Sequence, residues 1–294
     1  MKKELFHAVF AVLFCSLLFA PPRAFGEEST SGPFKLSAFG TYGVYQSSRA
    51  KDYIGFQWFF ADYVPSEGSG VGLNYVQNFL VLRRPLFPTL LPTYTSQYMG
   101  GSLYHSFQAG SSSVGLRASM VNIKSDDANS DATNVTYGQV SWKTDDGLYA
   151  DIGLAGSPYR NSMANQYSLT GGVSFLGGAI QSQTRVFYFT LSNPLQGKNS
   201  AVAVEERLIM APSRNLFFVA TVTPGEKFYA YMPEINYTNN SADLQKGSAS
   251  FSANYGVTQA LLVSGAVSWE SYWNKALNNG YAVTYWTLGL TYRL

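Results

Sequence analysis

The sequence predicts an all-β chain: a single antiparallel up-and-down β-barrel of about fourteen strands that crosses a membrane, with twelve or sixteen as the alternative even counts. Three observations lead there. Apolar and polar residues alternate with period two through most of the chain. Only 13% of residues are charged while 16% are aromatic. No run after residue 26 is long and apolar enough for a spanning helix. Side chains of a strand point alternately to its two faces. A membrane wall therefore needs apolar residues and aromatic belts on one face, and Ser, Thr, Gly, Asn and Gln on the other. Strands that cross hydrocarbon must also close on themselves, because an open edge leaves backbone groups without partners. A soluble β-sandwich alternates too, but low charge and abundant aromatics select the membrane wall.

The chain opens with Met1-Lys2-Lys3, an apolar stretch from Leu5 to Ala20, and Ala24-Phe25-Gly26 with small residues where a signal peptidase reads. This is the pattern of a cleaved secretory signal peptide over residues 1–26, leaving 27–294 as one barrel domain. Cys15 lies in the removed part, so the remainder carries no disulfide and no thiolate chemistry. Removal also takes away Lys2, Lys3 and Arg23 against Glu4, which turns a formal net charge of +2 into an even balance. That gives no support for nucleic acid or a polybasic lipid-binding role.

At the other end, Trp286, Leu288, Leu290, Tyr292 and Leu294 share one face of a terminal strand, opposed by Tyr285, Thr287, Gly289, Thr291 and Arg293. Fourteen residues from Tyr281 exceed the roughly 9–11 that a tilted span requires. This aromatic and aliphatic face, closing on Tyr-Arg-Leu, resembles the C-terminal signal of Gram-negative outer-membrane β-barrels, although that signal most often ends in Phe. The resemblance implies a porin-like channel in the bacterial outer membrane, with outer-membrane lipid around it and the barrel-assembly machinery as the reader of the terminal strand.

Taken in order, Phe34, Leu36 and Ala38 oppose Lys35, Ser37 and Phe39, and Ile54, Phe56, Trp58 and Phe60 oppose Tyr53, Gly55, Gln57 and Phe59, so both segments read as strands with a greasy face. Val114, Leu116, Ala118 and Met120 oppose Ser113, Gly115, Arg117 and Ser119. Leu148, Ala150, Ile152 and Leu154 oppose Tyr149, Asp151, Gly153 and Ala155. A charge in mid-strand opposite an apolar row calls for a wet interior. Leu169, Val173 and Phe175 stand against Ser168, Thr170 and Ser174; Ala249, Phe251, Ala253 and Tyr255 stand against Ser248, Ser250, Ser252 and Asn254.

Short turns are expected at Thr144-Asp145-Asp146-Gly147, Gly177-Gly178, Pro224-Gly225-Glu226 and Gly256-Val257-Thr258-Gln259. Longer polar stretches near 124–133, 156–166, 192–200, 239–247 and 271–280 are expected at the opposite, extracellular end. Ala211-Pro212-Ser213 reads as either a turn or a kink. Arg83-Arg84-Pro85-Leu86-Phe87-Pro88-Thr89-Leu90-Leu91-Pro92 breaks the alternation, and its prolines forbid a central strand. Arg83, Arg84, Pro85, Phe87 and Pro88 are candidates for a constriction folded into the barrel mouth, against an irregular loop packed on the rim.

Familiar catalytic chemistry is missing. His105 is the one histidine after residue 26, and Leu103 and Phe107, not Ser or Asp, stand two residues from it. The usual base near neutral pH therefore has no partner on its own strand. Asp126, Asp127 and Asp131 read as a solvated loop or a weak Ca²⁺ site. No heme-attachment motif or phosphate-cradling loop is present, so no cofactor is expected. The charges assigned to the lumen are Lys35, Arg117, Asp151, Arg185, Glu205, Arg207 and Glu270, either lining a channel or pairing across strands; Arg185 and Glu205 fit either register. The sequence thus predicts passive diffusion of small hydrophilic solutes or ions. The alternatives are a scaffold barrel holding a protein partner such as a periplasmic cytochrome in or at its lumen, and an enzyme with an unfamiliar site.

Overall fold

The computed structural model describes residues 33–66, 68–83, 93–213, 215–239 and 241–294. The expected signal peptide, and Arg84, Pro85, Phe87 and Pro88 of the expected constriction, lie outside the described residues.

Strands run β1 (Phe34–Gln46), β2 (Lys51–Ser66), β3 (Ser69–Leu82), β4 (Thr93–Ala109), β5 (Ser112–Ser125), β6 (Thr133–Thr144), β7 (Leu148–Tyr159), β8 (Ser162–Phe175), β9 (Ile180–Leu195), β10 (Lys198–Ser213), β11 (Leu216–Lys227), β12 (Tyr231–Met232), β13 (Tyr237–Thr238), β14 (Leu244–Gly256), β15 (Leu261–Asn274) and β16 (Asn279–Arg293). All but β12 and β13 form one closed antiparallel barrel of fourteen strands, in which each strand pairs with its neighbours in the chain. β1 closes on β16 in a register from Lys35 opposite Arg293 to Gln46 opposite Ala282. Closure leaves no edge, which is the condition a sheet must meet in hydrocarbon.

The outer face is the apolar one. Leu73, Met99, Leu116, Ile152, Leu169, Phe251, Trp286 and Leu288 are all exposed there. The expected faces of β1, β5, β7, β8, β14 and β16 follow this pattern. β2 differs. Its Ile54 and Phe56 are buried inside while Phe59 and Tyr63 are exposed outside, so the greasier row Ile54, Phe56, Trp58 and Phe60 faces the lumen.

One end of the barrel carries both strand termini and tight turns, including the Gly147 and Gly256 turns as expected. The expected turn at Pro224-Gly225-Glu226 is instead part of β11. There the register with β14 slips between Pro224 and Lys227, and the proline needs no ladder donor. Gly225 takes φ +106°, and a Cβ at that position would lie 2.6 Å from Ala203 Cα. Ala211-Pro212-Ser213 ends β10 in a register slip, and β11 begins at Leu216. The chain then crosses to the other end and does not turn until residue 228. The connection of residues 228–243 between β11 and β14 carries the small β12–β13 ladder, with Tyr231 opposite Thr238.

Candidate functional site

The β11–β14 connection folds into the lumen. Phe228, Tyr231, Tyr237 and Thr238 within it are almost fully buried, and both sides of the wall hold it. On β3, Asn74 Nδ2 donates to Asn236 O at 2.9 Å, while Asn236 Nδ2 donates back to Asn74 Oδ1 at 2.7 Å. On β8, Gln166 Nε2 donates to Tyr231 O at 3.0 Å and its Oε1 accepts from Tyr231 N at 2.8 Å. These reciprocal amide pairs satisfy backbone and side-chain groups that burial would otherwise penalise. β3 and β8 stand five strands apart around the wall, so the hairpin bridges the bore.

Aromatic rings complete the clamp. Tyr237 lies 4.7 Å from Tyr98, 4.9 Å from Trp58 and 6.3 Å from Phe56, centroid to centroid. On the other leg, Tyr229 stacks on Tyr159 at 4.0 Å and Tyr231 packs on Tyr137 at 4.8 Å. Such pairs are worth about 0.5–1.5 kcal/mol each beyond their burial. The inward greasy row of β2 is therefore the wall against which this hairpin packs. The return leg is tied near its base by Asp243, which accepts from Lys51 Nζ at 2.5 Å, from Asn274 Nδ2 at 2.6 Å and from the Tyr281 hydroxyl.

At the hairpin tip, Glu234 Oε1 lies 2.7 Å from Arg185 Nη1 and 3.5 Å from Arg207 Nη1. Arg185 also meets Glu205 at 3.6 Å, and its Nε donates to Thr170 Oγ1 at 2.9 Å. Burial alone would push the Glu234 carboxyl upward; Arg185 and Arg207 outweigh it and hold the group below the ordinary carboxylate value.

Most of the charges assigned to the lumen from sequence have partners in the structure. Lys35 pairs with Asp62 at 2.9 Å across β1 and β2. Asp151 accepts from the Tyr149 hydroxyl at 2.7 Å, and Glu270 from the Tyr272 hydroxyl at 2.5 Å. Arg185 and Arg207 meet at Glu234, with Glu205 on the far side of Arg185; the sequence reading missed Glu234 together with Asp62, Lys51 and Asp243. The pattern Tyr229, Tyr231, Tyr237 around Pro233-Glu234 was the available signal, being too aromatic for a solvated loop. Of the expected constriction segment, Arg83 is described: its Nε lies 3.4 Å from Asp52 Oδ1.

Below the tip, a cavity of about 320 Å³ opens between Arg117, Gln139, Gln183, Arg207 and Glu234. The Nε atoms of Arg117 and Arg207 are buried without a hydrogen-bond partner among the described residues.

Elsewhere, pairing of β3 with β4 brings Ser69 Oγ to 2.5 Å from His105 Nδ1, on the outer face beside Phe107. Among the described residues no carboxylate hydrogen-bonds this ring, so it lacks the orienting third group of a hydrolytic triad. Asp126, Asp127 and Asp131 each accept from a loop or strand amide, at 2.8, 3.2 and 3.0 Å, and no metal-binding cluster occurs among the described residues.

A closed wall with an apolar outside, a polar inside and an inward-folded connection defines a transmembrane β-barrel with a constricted lumen. Its fold is that of bacterial outer-membrane barrels. No protein-family model and no curated protein matches the chain. Among solved structures, a bacterial polysaccharide outer-membrane secretin aligns with TM-score 0.54 at 10% identity, over 90% of this chain and 100% of its own. A mutant of the TodX monoaromatic hydrocarbon channel gives 0.54 at 8%, over 95% and 92%. A Pseudomonas aeruginosa FadL homologue gives 0.52 at 10%, over 89% and 90%. At such identities the likeness is one of fold.

Proposed function

We propose that this protein is a bacterial outer-membrane channel through which small hydrophilic solutes or ions diffuse passively, with residues 228–243 as its constriction. The observation that carries the reading is the charge-lined cavity beneath a hairpin that spans the bore, inside a wall closed to lipid. Short turns face the periplasm in such barrels and longer loops face outward, which puts the hairpin on the extracellular side of the cavity. Residues 1–26 act as the export signal and are removed, and Trp286, Leu288, Leu290, Tyr292 and Leu294 present the face that the assembly machinery reads. The chain's own segment occupies the middle of the lumen, which speaks against the alternative of a barrel sheathing a protein partner.

The test is single-channel recording of purified, folded protein in a planar bilayer. Discrete conductance steps support the channel. Silence from a folded barrel, together with a stoichiometric co-purifying protein, overturns it in favour of a scaffold.

A further inference from the structure

We propose that the cavity below the hairpin tip is a binding subsite for a small hydroxylated organic anion, and that Glu234 occupies its carboxylate position when no solute is present. The inference rests on the channel reading and adds a substrate class to it.

The lining is unbalanced in charge. Arg117, Lys143, Arg185 and Arg207 meet one carboxylate there, Glu234. Glu205 and Asp151, standing close to Arg185, reduce the excess without removing it. Two of the guanidinium groups retain an unused donor: the Nε atoms of Arg117 and Arg207 are shut off from water with no partner among the described residues. Guanidinium forks favour carboxylate, because two parallel N–H groups match its two oxygens.

The remaining lining selects what is attached to that carboxylate. Gln139, Gln181 and Gln183 offer both donors and acceptors, and the Tyr149 hydroxyl, which donates to Asp151, can still accept, together the complement of a chain or ring of hydroxyl groups. At about 320 Å³ the space is at the small end of ligand pockets, suited to a single sugar acid rather than a polymer.

Glu234 makes the site self-occupied. Its carboxylate reaches Arg207 at 3.5 Å, longer than an optimal charge-assisted bond, and its side chain retains 36% exposure toward the cavity. It sits on a connection, not on a wall strand, so an incoming carboxylate can take Arg207 and leave Glu234 with Arg185 alone. Solute and hairpin tip then compete for the same cation.

The experiment uses the full mature barrel and three probes: D-gluconate, the neutral D-glucose, and inorganic phosphate. Binding is read by titration calorimetry in detergent and, in parallel, by interruption of single-channel current. Gluconate is expected to bind and glucose not. Arg207→Gln should weaken gluconate at least tenfold, with Arg207→Lys restoring part of the loss. Glu234→Gln should tighten it severalfold, because the internal competitor has gone. Equal binding of gluconate and glucose, or no effect of Arg207→Gln in a barrel of normal heat-modifiable mobility, overturns the anion site. Phosphate binding as strongly as gluconate overturns the hydroxylated class. An unchanged affinity in Glu234→Gln overturns the competition. Because calorimetry needs no conduction, a folded barrel that never conducts yet binds gluconate rejects the channel and not the subsite, whereas a conducting barrel that shows no gluconate binding does the reverse.

Discussion

β2 and β14 belong to the same wall and face the same lumen, yet one presents Ile54, Phe56, Trp58 and Phe60 inward and the other Ser248, Ser250, Ser252 and Asn254. What lies opposite explains the difference. Trp58 and Phe56 are covered by Tyr237 of the inner hairpin, whereas the serine row of β14 stays partly open to the bore. Within a barrel, then, inner-face polarity reports local contents. A wall strand is apolar inside where the chain packs on itself and hydroxylated where it meets water.

The strongest way to break this contrast is to remove the contents. Replacing residues 229–238 by a short Gly-Ser turn should raise single-channel conductance severalfold and expose the β2 row to water, seen as a red shift in tryptophan emission. Next in size, Tyr237→Ala strips the ring that touches Tyr98, Trp58 and Phe56 and should cost about 3 kcal/mol, read as a lower unfolding midpoint in denaturant.

The ionic latch gives a pH-dependent version of the same release. Glu234 faces Arg185 and Arg207 from the wall, with Glu205 behind Arg185. Its docked carboxyl is held below the ordinary value of 4.5, so the latch contributes fully above that value and is lost as pH falls through the lowered one. Conductance should be flat from neutral pH down to that region and rise below it, and Glu234→Gln should abolish the dependence.

On the wet side, Ser252→Phe sharpens the comparison. It adds bulk where nothing is packed, so it should narrow the conductance modestly while changing stability by less than about 0.5 kcal/mol. Smallest of all, Lys35→Gln removes a partly exposed pair with Asp62 near the terminus end, and the unfolding free energy should change by no more than about 0.3 kcal/mol.

Much of the wall was legible in advance. The alternation of Leu148 to Ala155, of Ala249 to Asn254 and of Trp286 to Leu294 identified both the strands and their faces, because each combines an apolar row with a polar or charged one. β2 was ambiguous, since both of its rows are aromatic and alternation says only that two faces differ. The expected turn at Pro224-Gly225-Glu226 failed for a related reason: proline and glycine mark a turn or a bulge equally well, and the register with β14 decides which. Of the site, seven charges were assigned to the lumen from their strand positions, and the structure gives most of them ionic or hydrogen-bond partners on neighbouring strands or on the inner hairpin. The carboxylate that joins two of them, Arg185 and Arg207, was not among the seven, because Glu234 lies on a segment with no strand period to read.

Local patterning alone dictates a closed antiparallel barrel with a lipid-facing exterior. Period-two patterning is local, and hydrocarbon permits no open edge. The tertiary structure decided what fills the bore. Asn74 and Asn236 are 162 residues apart when they exchange hydrogen bonds, and the Arg185–Glu234–Arg207 junction joins two wall strands to a connection. Contacts of that range leave no trace in neighbouring residues. They arise when closure brings opposite walls within reach of one inward-folded segment, whose aromatic and amide groups then find partners that only the finished barrel supplies.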